Sequence, residues 1–192
     1  MLPDLINDIN KALDNNAYFA ALTLALTLPD ICGKAAYSNK TTRRRYIDWV
    51  DEYISIFEQC PCEDCEKRPS PHLTGEVIYS LRNSMLHQGT PNINSREIKE
   101  EANQIDVFTL VIEKKNRFDI YSDASSIEET FVNGCSVELK RTFRVNIRRL
   151  CLILTMYAAD YYNENKDKFN FFNYNVIDWD EEVERIRKLN AR

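Results

Sequence analysis

The run Arg82-Asn83-Ser84-Met85-Leu86-His87 carries the residues of this chain best suited to chemistry, and His87 is one of only two histidines. An imidazole has an ordinary pKa of about 6.5, so it can give or take a proton near neutrality. A guanidinium can bind a phosphate through two parallel hydrogen bonds and neutralise charge that builds on it. Together these groups suit metal-independent RNA cleavage, in which a 2′-hydroxyl attacks the adjacent phosphate. Arg82 is the expected phosphate ligand, His87 the acid or base, and Asn83 the residue that orients the imidazole or the phosphate.

Such a site needs a helix to hold it. Thr74 is a plausible N-cap, Gly89 stands where a left-handed C-terminal cap is wanted, and Pro91 follows, which puts His87 in the last turn. At about 100° per residue, Val77, Ile78, Leu81 and Met85 share a core-facing side. Asn83 and His87 are four apart and stack on adjacent turns. Arg82 and His87 are five apart, about 140° around an ideal helix, and are expected to flank a surface without touching. Tyr79 and Leu86 lie on that surface. A second copy of the same helix is the expected cover, which makes them interface residues of a two-fold dimer.

Other residues compete for a functional role. Cys60, Cys62 and Cys65, with His72 beyond, have the ligand types of a zinc site, but one residue between Cys60 and Cys62 is not a standard spacing. A cysteine-rich loop without metal is the preferred reading. Arg43, Arg44 and Arg45 are the densest positive charge and would guide RNA if they lay beside His87; a solvated helix start is the plainer reading. Arg144, Arg148 and Arg149 form a second basic group. Asp30, just after Pro29, is read as a turn residue, with an orienting contact to Arg82 or His87 as the alternative. Phe169, Phe171, Phe172 and Tyr174 are expected to pin the tail to the core, not to stack bases. Cys32, Cys135 and Cys151 are expected as buried small hydrophobes.

Around these residues the chain is mostly helical. A first amphipathic helix spans Leu2 to Leu13, and Asn16 can cap a second, nearly all-apolar helix from about Ala17 to Leu28, stopped by Pro29. Residues 33–42 are expected as a loop. A third helix covers roughly Arg43 to Phe57, burying Tyr46, Trp49, Val50, Tyr53, Ile54 and Phe57. After the motif helix, residues 92–104 are polar. The period then changes: Val107 to Ile112, Phe118 to Tyr121 and Val137 to Val145 predict a small antiparallel β-insert. Asn146 caps a long helix to about Lys168, and Asp178 opens a last short helix to Leu189.

Composition narrows the class. The chain has 192 residues, 44% hydrophobic and 29% charged, with 4 glycines, 6 prolines and a net charge of −5. That is ordinary globular composition and excludes a uniformly basic nucleic-acid binder. The N-terminus lacks a basic segment followed by an apolar core, and the apolar runs Tyr18 to Leu28 and Leu150 to Ala159 are too short to span a bilayer. A cytoplasmic protein with reduced thiols, away from membranes, is the expectation.

The stretch Tyr79-Ser-Leu-Arg-Asn-Ser-Met-Leu-His-Gln-Gly resembles the signature of the HEPN superfamily: an arginine, a polar residue, and a histidine a few residues on. The order of helices before it is similar to that family's bundle. Residues 18–33, with Leu-Pro-Asp-Ile-Cys-Gly, resemble uncharacterised bacterial proteins of this type. The resemblance implies a mainly α fold, an antiparallel helical bundle from residues 1–90 and 146–192 of a single domain, with the β-insert at about 105–145 as a departure. It also implies a homodimer and a metal-independent endoribonuclease without cofactor, in a toxin or phage-defence role and with an antitoxin-like protein as a partner. Arg82, Asn83 and His87 match the active positions. A non-catalytic bundle that binds a partner protein or nucleotide is the first alternative; a zinc-stabilised adaptor is the second.

Overall fold

The computed structural model describes residues 1–58, 72–114, 124–132 and 135–190. Cys60, Cys62 and Cys65 of the zinc reading and the expected strand Phe118 to Tyr121 lie outside them. The fold is mainly helical and bundle-like, with a small three-stranded sheet.

Helix α1 (Leu2–Asp14) buries Leu2, Ile9 and Leu13. Asn16 does not cap the next helix. It takes a left-handed conformation, φ 57°, as the turn residue, and its side-chain oxygen accepts from the Tyr18 hydroxyl at 2.8 Å. Short polar side chains tolerate that conformation. The second predicted helix is two. Helix α2 (Tyr18–Ala25) stops before Pro29, and α3 (Leu28–Ala36) begins with Pro29 in its first turn. A proline lacks the N–H that a first turn would leave unbonded anyway, so Pro29 starts a helix where a stop was expected. The expected loop from residue 33 is therefore helical as far as Ala36. By length and composition Tyr18–Ala36 would suffice to cross a membrane. It is interrupted at Leu26 and Thr27, and it gives Ala21, Leu22, Leu26, Leu28 and Cys32 to the core.

Helix α4 (Thr42–Val50) is capped by the Thr41 hydroxyl and is followed by a π-helical turn, Asp51–Ser55, and a short last turn α5 (Ile56–Glu58). A π-turn holds one residue more than an α-turn, so every side chain after it is rotated on the helix. Tyr46, Trp49, Val50 and Ile54 are buried as expected, whereas Phe57, beyond the π-turn, is 64% exposed and rests on Tyr157. Helix α6 (Gly75–Asn83) is capped by Thr74 as expected and also runs into a π-turn, Ser84–Gln88, which Gly89 ends at φ 62°.

Helix α4 lies between α3 and α6. Two glycines set the spacing. A Cβ on Gly33 would stand 2.5 Å from the Arg45 carbonyl oxygen, and one on Gly75 would stand 2.4 Å from that of Ile47. Only hydrogen at these positions lets three backbones approach so closely. Helix α7 (Ile147–Glu164), capped by Asn146, packs against α1, α2 and α3 and buries Leu150, Leu154, Ala158 and Tyr161. It ends before the Lys168 expected, in a 3-10 turn Lys166–Phe169.

The sheet is not purely antiparallel. Strand β3 (Cys135–Asn146) is central; β2 (Ala124–Val132) pairs with it antiparallel, and β1 (Val107–Val111) pairs with its other edge in parallel. Alternation along β3 correctly places Phe143 and Val145 in the core. The pairing of β1 was beyond the pattern, because side-chain alternation is the same for parallel and antiparallel neighbours. Arg141 clamps the start of β1 by bonding both oxygens of Asp106, which holds that carboxyl down at about 2. Helix α8 (Trp179–Asn190) is the last described element, with the Asp178 carboxylate accepting from the amides of Asp180 and Glu181.

Candidate active site

The Ser84–Gln88 π-turn changes the geometry of the motif. In an α-helix, residues five apart diverge; in a π-turn the backbone bonds run from i to i+5, and such pairs align. The Gly89 amide accordingly donates to the Ser84 carbonyl. Arg82 Nη1 and His87 Nε2 stand 2.9 Å apart. The expectation that they flank a surface without touching is overturned, and the extra residue in the turn is the reason. Arginine has no acceptor, so this contact requires the lone pair of His87 Nε2, with the imidazole proton on Nδ1.

Arg82 is held on three sides. Its Nε and Nη2 reach the same Asp30 oxygen, Oδ2, at 3.0 and 2.9 Å. Its Nη1 also donates to the Asn83 side-chain oxygen at 3.0 Å. Asn83 thus contacts the arginine, whereas the expectation had it orient the imidazole or the phosphate. The Arg82 and Asp30 side chains are only 16% and 19% exposed, so the pair is largely removed from water. Burial raises the Asp30 carboxyl above its ordinary value, and the charges of Arg82, Arg45 and His87 act in the opposite direction. His87 is exposed at the end of this cluster.

Asp30 is the member of this cluster whose place the sequence signals least directly. It is not a turn residue but sits in the first turn of α3, one turn before Gly33, where α3 meets α4. The signal was present: Leu-Pro-Asp is a helix start, with proline and then an acid in the first turn.

The three basic residues of α4 separate. Arg44 pairs with Asp48 on the solvent side at 2.8 Å. Arg43 donates to the Glu97 carbonyl at 3.0 Å and lies over the Tyr79 ring. Arg45 is half-buried and its charge reaches Asp30. Tyr79 also has Arg82 5.8 Å from its ring centre and meets Tyr46 edge-on. Part of its cover thus comes from α4 of the same chain, and both Tyr79 and Leu86 remain half-buried.

The remaining candidates fall away from this cluster. Arg148 donates to the Leu13 carbonyl, and Arg149 pairs with Glu58. Phe169 is buried against Tyr161 and Tyr162, in keeping with a pinned tail, while Tyr174 is exposed. Cys32 and Cys151 are buried thiols, and Cys135 has no described side chain. Among the described residues no cluster has the ligands for a metal ion. No protein-family model, curated protein or solved structure matches this chain.

Proposed function

We propose that this chain is a metal-independent, HEPN-type endoribonuclease that works as a homodimer. The observation that carries the reading is the Arg82–His87 contact at 2.9 Å, built by a π-turn and braced by Asp30 and Asn83. A solvated arginine and a helix-capping histidine would not call for a buried carboxylate and an altered helix to bring them together. π-turns recur at functional sites because they re-aim side chains at the expense of regular hydrogen bonding.

The chemistry follows from the donors. An RNA phosphate arriving at Arg82 takes Nη1 from His87 and frees the Nε2 lone pair. Nε2 then accepts the 2′-hydroxyl proton as the 2′-oxygen attacks phosphorus. The bond from phosphorus to the 5′-oxygen breaks, and that oxygen takes a proton from His87 of a second copy, whose Nε2 is protonated once it leaves its own Arg82. The products are a 2′,3′-cyclic phosphate and a 5′-hydroxyl. Arg82, kept in place by Asp30, balances the charge on the phosphate oxygens. Half-buried Tyr79 and Leu86 and exposed His87 are the residues offered to the second copy.

Wild type, Arg82→Ala and His87→Ala are to be incubated with structured RNA in chelator. Wild type should leave cyclic-phosphate ends, and each variant should lose about a hundred- to ten-thousand-fold in rate. His87 is exposed, so its alanine variant tests the chemistry with little effect on the core. Equal cleavage by all three proteins, or none by wild type on any RNA tried, overturns the reading.

A further inference from the structure

Asp30 is bound unevenly. Both bonds from Arg82 fall on Oδ2, while Oδ1 is buried with no hydrogen-bond partner. A buried carboxylate oxygen without a donor is costly and calls for an explanation. Arg45 carries the complementary defect: its Nε is buried and also has no partner. The two residues lie at the close contact of α3 with α4. Gly33 touches the Arg45 backbone, and Asp30, three residues before Gly33, lies on the same side of α3. After Arg82, Arg45 is the positive group that acts most strongly on Asp30, ahead of His87.

One donor and one acceptor, each buried and unpaired, thus belong to groups of opposite charge that feel each other. They make no direct bond to each other, and a water between them would accept from Nε and donate to Oδ1. We propose that Arg45 is a positioning residue of the site: from the Oδ1 side it keeps Asp30 charged and fixed, so that Asp30 can hold Arg82 against His87. The cluster is then a chain of alternating roles, with Arg45 steadying Asp30, Asp30 steadying Arg82, and Arg82 meeting His87 and the phosphate. Of the three adjacent arginines on α4, only Arg45 has this task; Arg44 faces Asp48, and Arg43 faces Glu97 and Tyr79. The importance of this chain for cleavage rests on the ribonuclease reading, but the chain itself does not.

The groups that act on Asp30 are Arg82 of α6, Arg45 of α4 with Tyr46 beside it, and His87 of the π-turn. Helix α7 also packs on α3, where Tyr161 is the titratable neighbour of Cys32. The test is a carbon-13 NMR titration of the Asp30 carboxyl, with hydrogen exchange of the Arg82 Nε proton, in wild type, Arg45→Met and Arg45→Lys. Arg45→Gln takes the place of the methionine variant if that fails to fold. With Arg45 neutralised, the Asp30 midpoint should rise by at least one pH unit and the Arg82 proton should exchange at least ten-fold faster. Lysine should restore most of both. Repeating the titration in a His87→Ala background removes the imidazole's own charge from the comparison.

An Asp30 midpoint and an Arg82 exchange rate that do not move in the neutral variants overturn the proposal. So does a cleavage assay in which Arg45→Met raises KM and leaves kcat unchanged, since that marks a direct RNA contact. Neither NMR measurement uses RNA, so failure of the ribonuclease reading leaves the test of Arg45 standing.

Discussion

The two π-turns among the described residues have the same length and adjoin helices that pack on each other, yet they do opposite things. Asp51–Ser55 is turned inward: Ile54 and Ser55 are buried, and the Asp51 carboxylate accepts the Gly75 amide at 2.6 Å, tying α4 to the start of the motif helix. Ser84–Gln88 is turned outward: only Ser84 is buried, and the turn delivers His87 to the surface beside Arg82. The first turn opens on a half-buried aspartate, Asp51, and the second has one beside it, Asp30. Asp51 uses its oxygen on a backbone N–H and a serine hydroxyl, as a cap does. Asp30 spends one oxygen on a guanidinium and leaves the other unbonded. A π-turn by itself therefore does not mark a site. What distinguishes the second is the charged pair removed from water beside it.

The largest expected effect separates the turns by stability. Ile54→Ala should cost about 2–5 kcal/mol, because it opens a cavity in a fully buried position, while Leu86→Ala should cost under about 1 kcal/mol. Urea denaturation of the two variants measures both. Similar losses would mean that the second turn is as much a part of the core as the first.

The next effect separates the two aspartates. Asp51→Ala leaves the buried Gly75 amide without its acceptor and should cost about 1–3 kcal/mol, with cleavage per folded molecule preserved. Asp30→Asn should do the reverse and abolish cleavage with a small change in stability. Burial raises the Asp30 carboxyl in the folded state, so folding favours its proton. The resulting stabilisation is complete below about pH 4, where the unfolded chain is also protonated, and it is lost as pH rises through the raised folded value. Wild type should therefore lose stability relative to Asp30→Asn over that rise, seen in paired denaturation curves at several pH values. A difference that grows with pH would show that the attraction of Arg82 outweighs burial.

The smallest effect tests the register shift. Phe57→Ser should change stability by no more than about 0.5 kcal/mol, since the first π-turn has carried this phenylalanine to the surface. A loss near that of Ile54→Ala would place Phe57 back on the buried face, where an unbroken α-helix would have put it.

Local signals made much of this molecule legible. The caps at Thr74, Asn146 and Asp178, the glycine stop at Gly89, the core faces of α4 and α6 up to their π-turns, and the buried alternation of β3 are all readable within a few residues. So were Arg82, Asn83 and His87 as candidates, because residue type and helix placement suffice to nominate them. Contacts between distant segments were not legible. Asp30 is 52 residues from Arg82, and it is brought there by Gly33 and Gly75 letting α3, α4 and α6 approach. Pairing of β1 with β3 depended likewise on which edge was open, and alternation says nothing about that.

The motif itself shows the same division. Its sequence determined that an arginine and a histidine five residues apart would stand at the end of one helix, held by a left-handed glycine. Only the tertiary structure decided that they touch. An α-turn and a π-turn in the same residues differ by the slip of one hydrogen bond. In the π-turn that forms, Leu81 and Ser84 are buried and Arg82 is paired with the Asp30 carboxylate, a residue that its own local sequence does not contain.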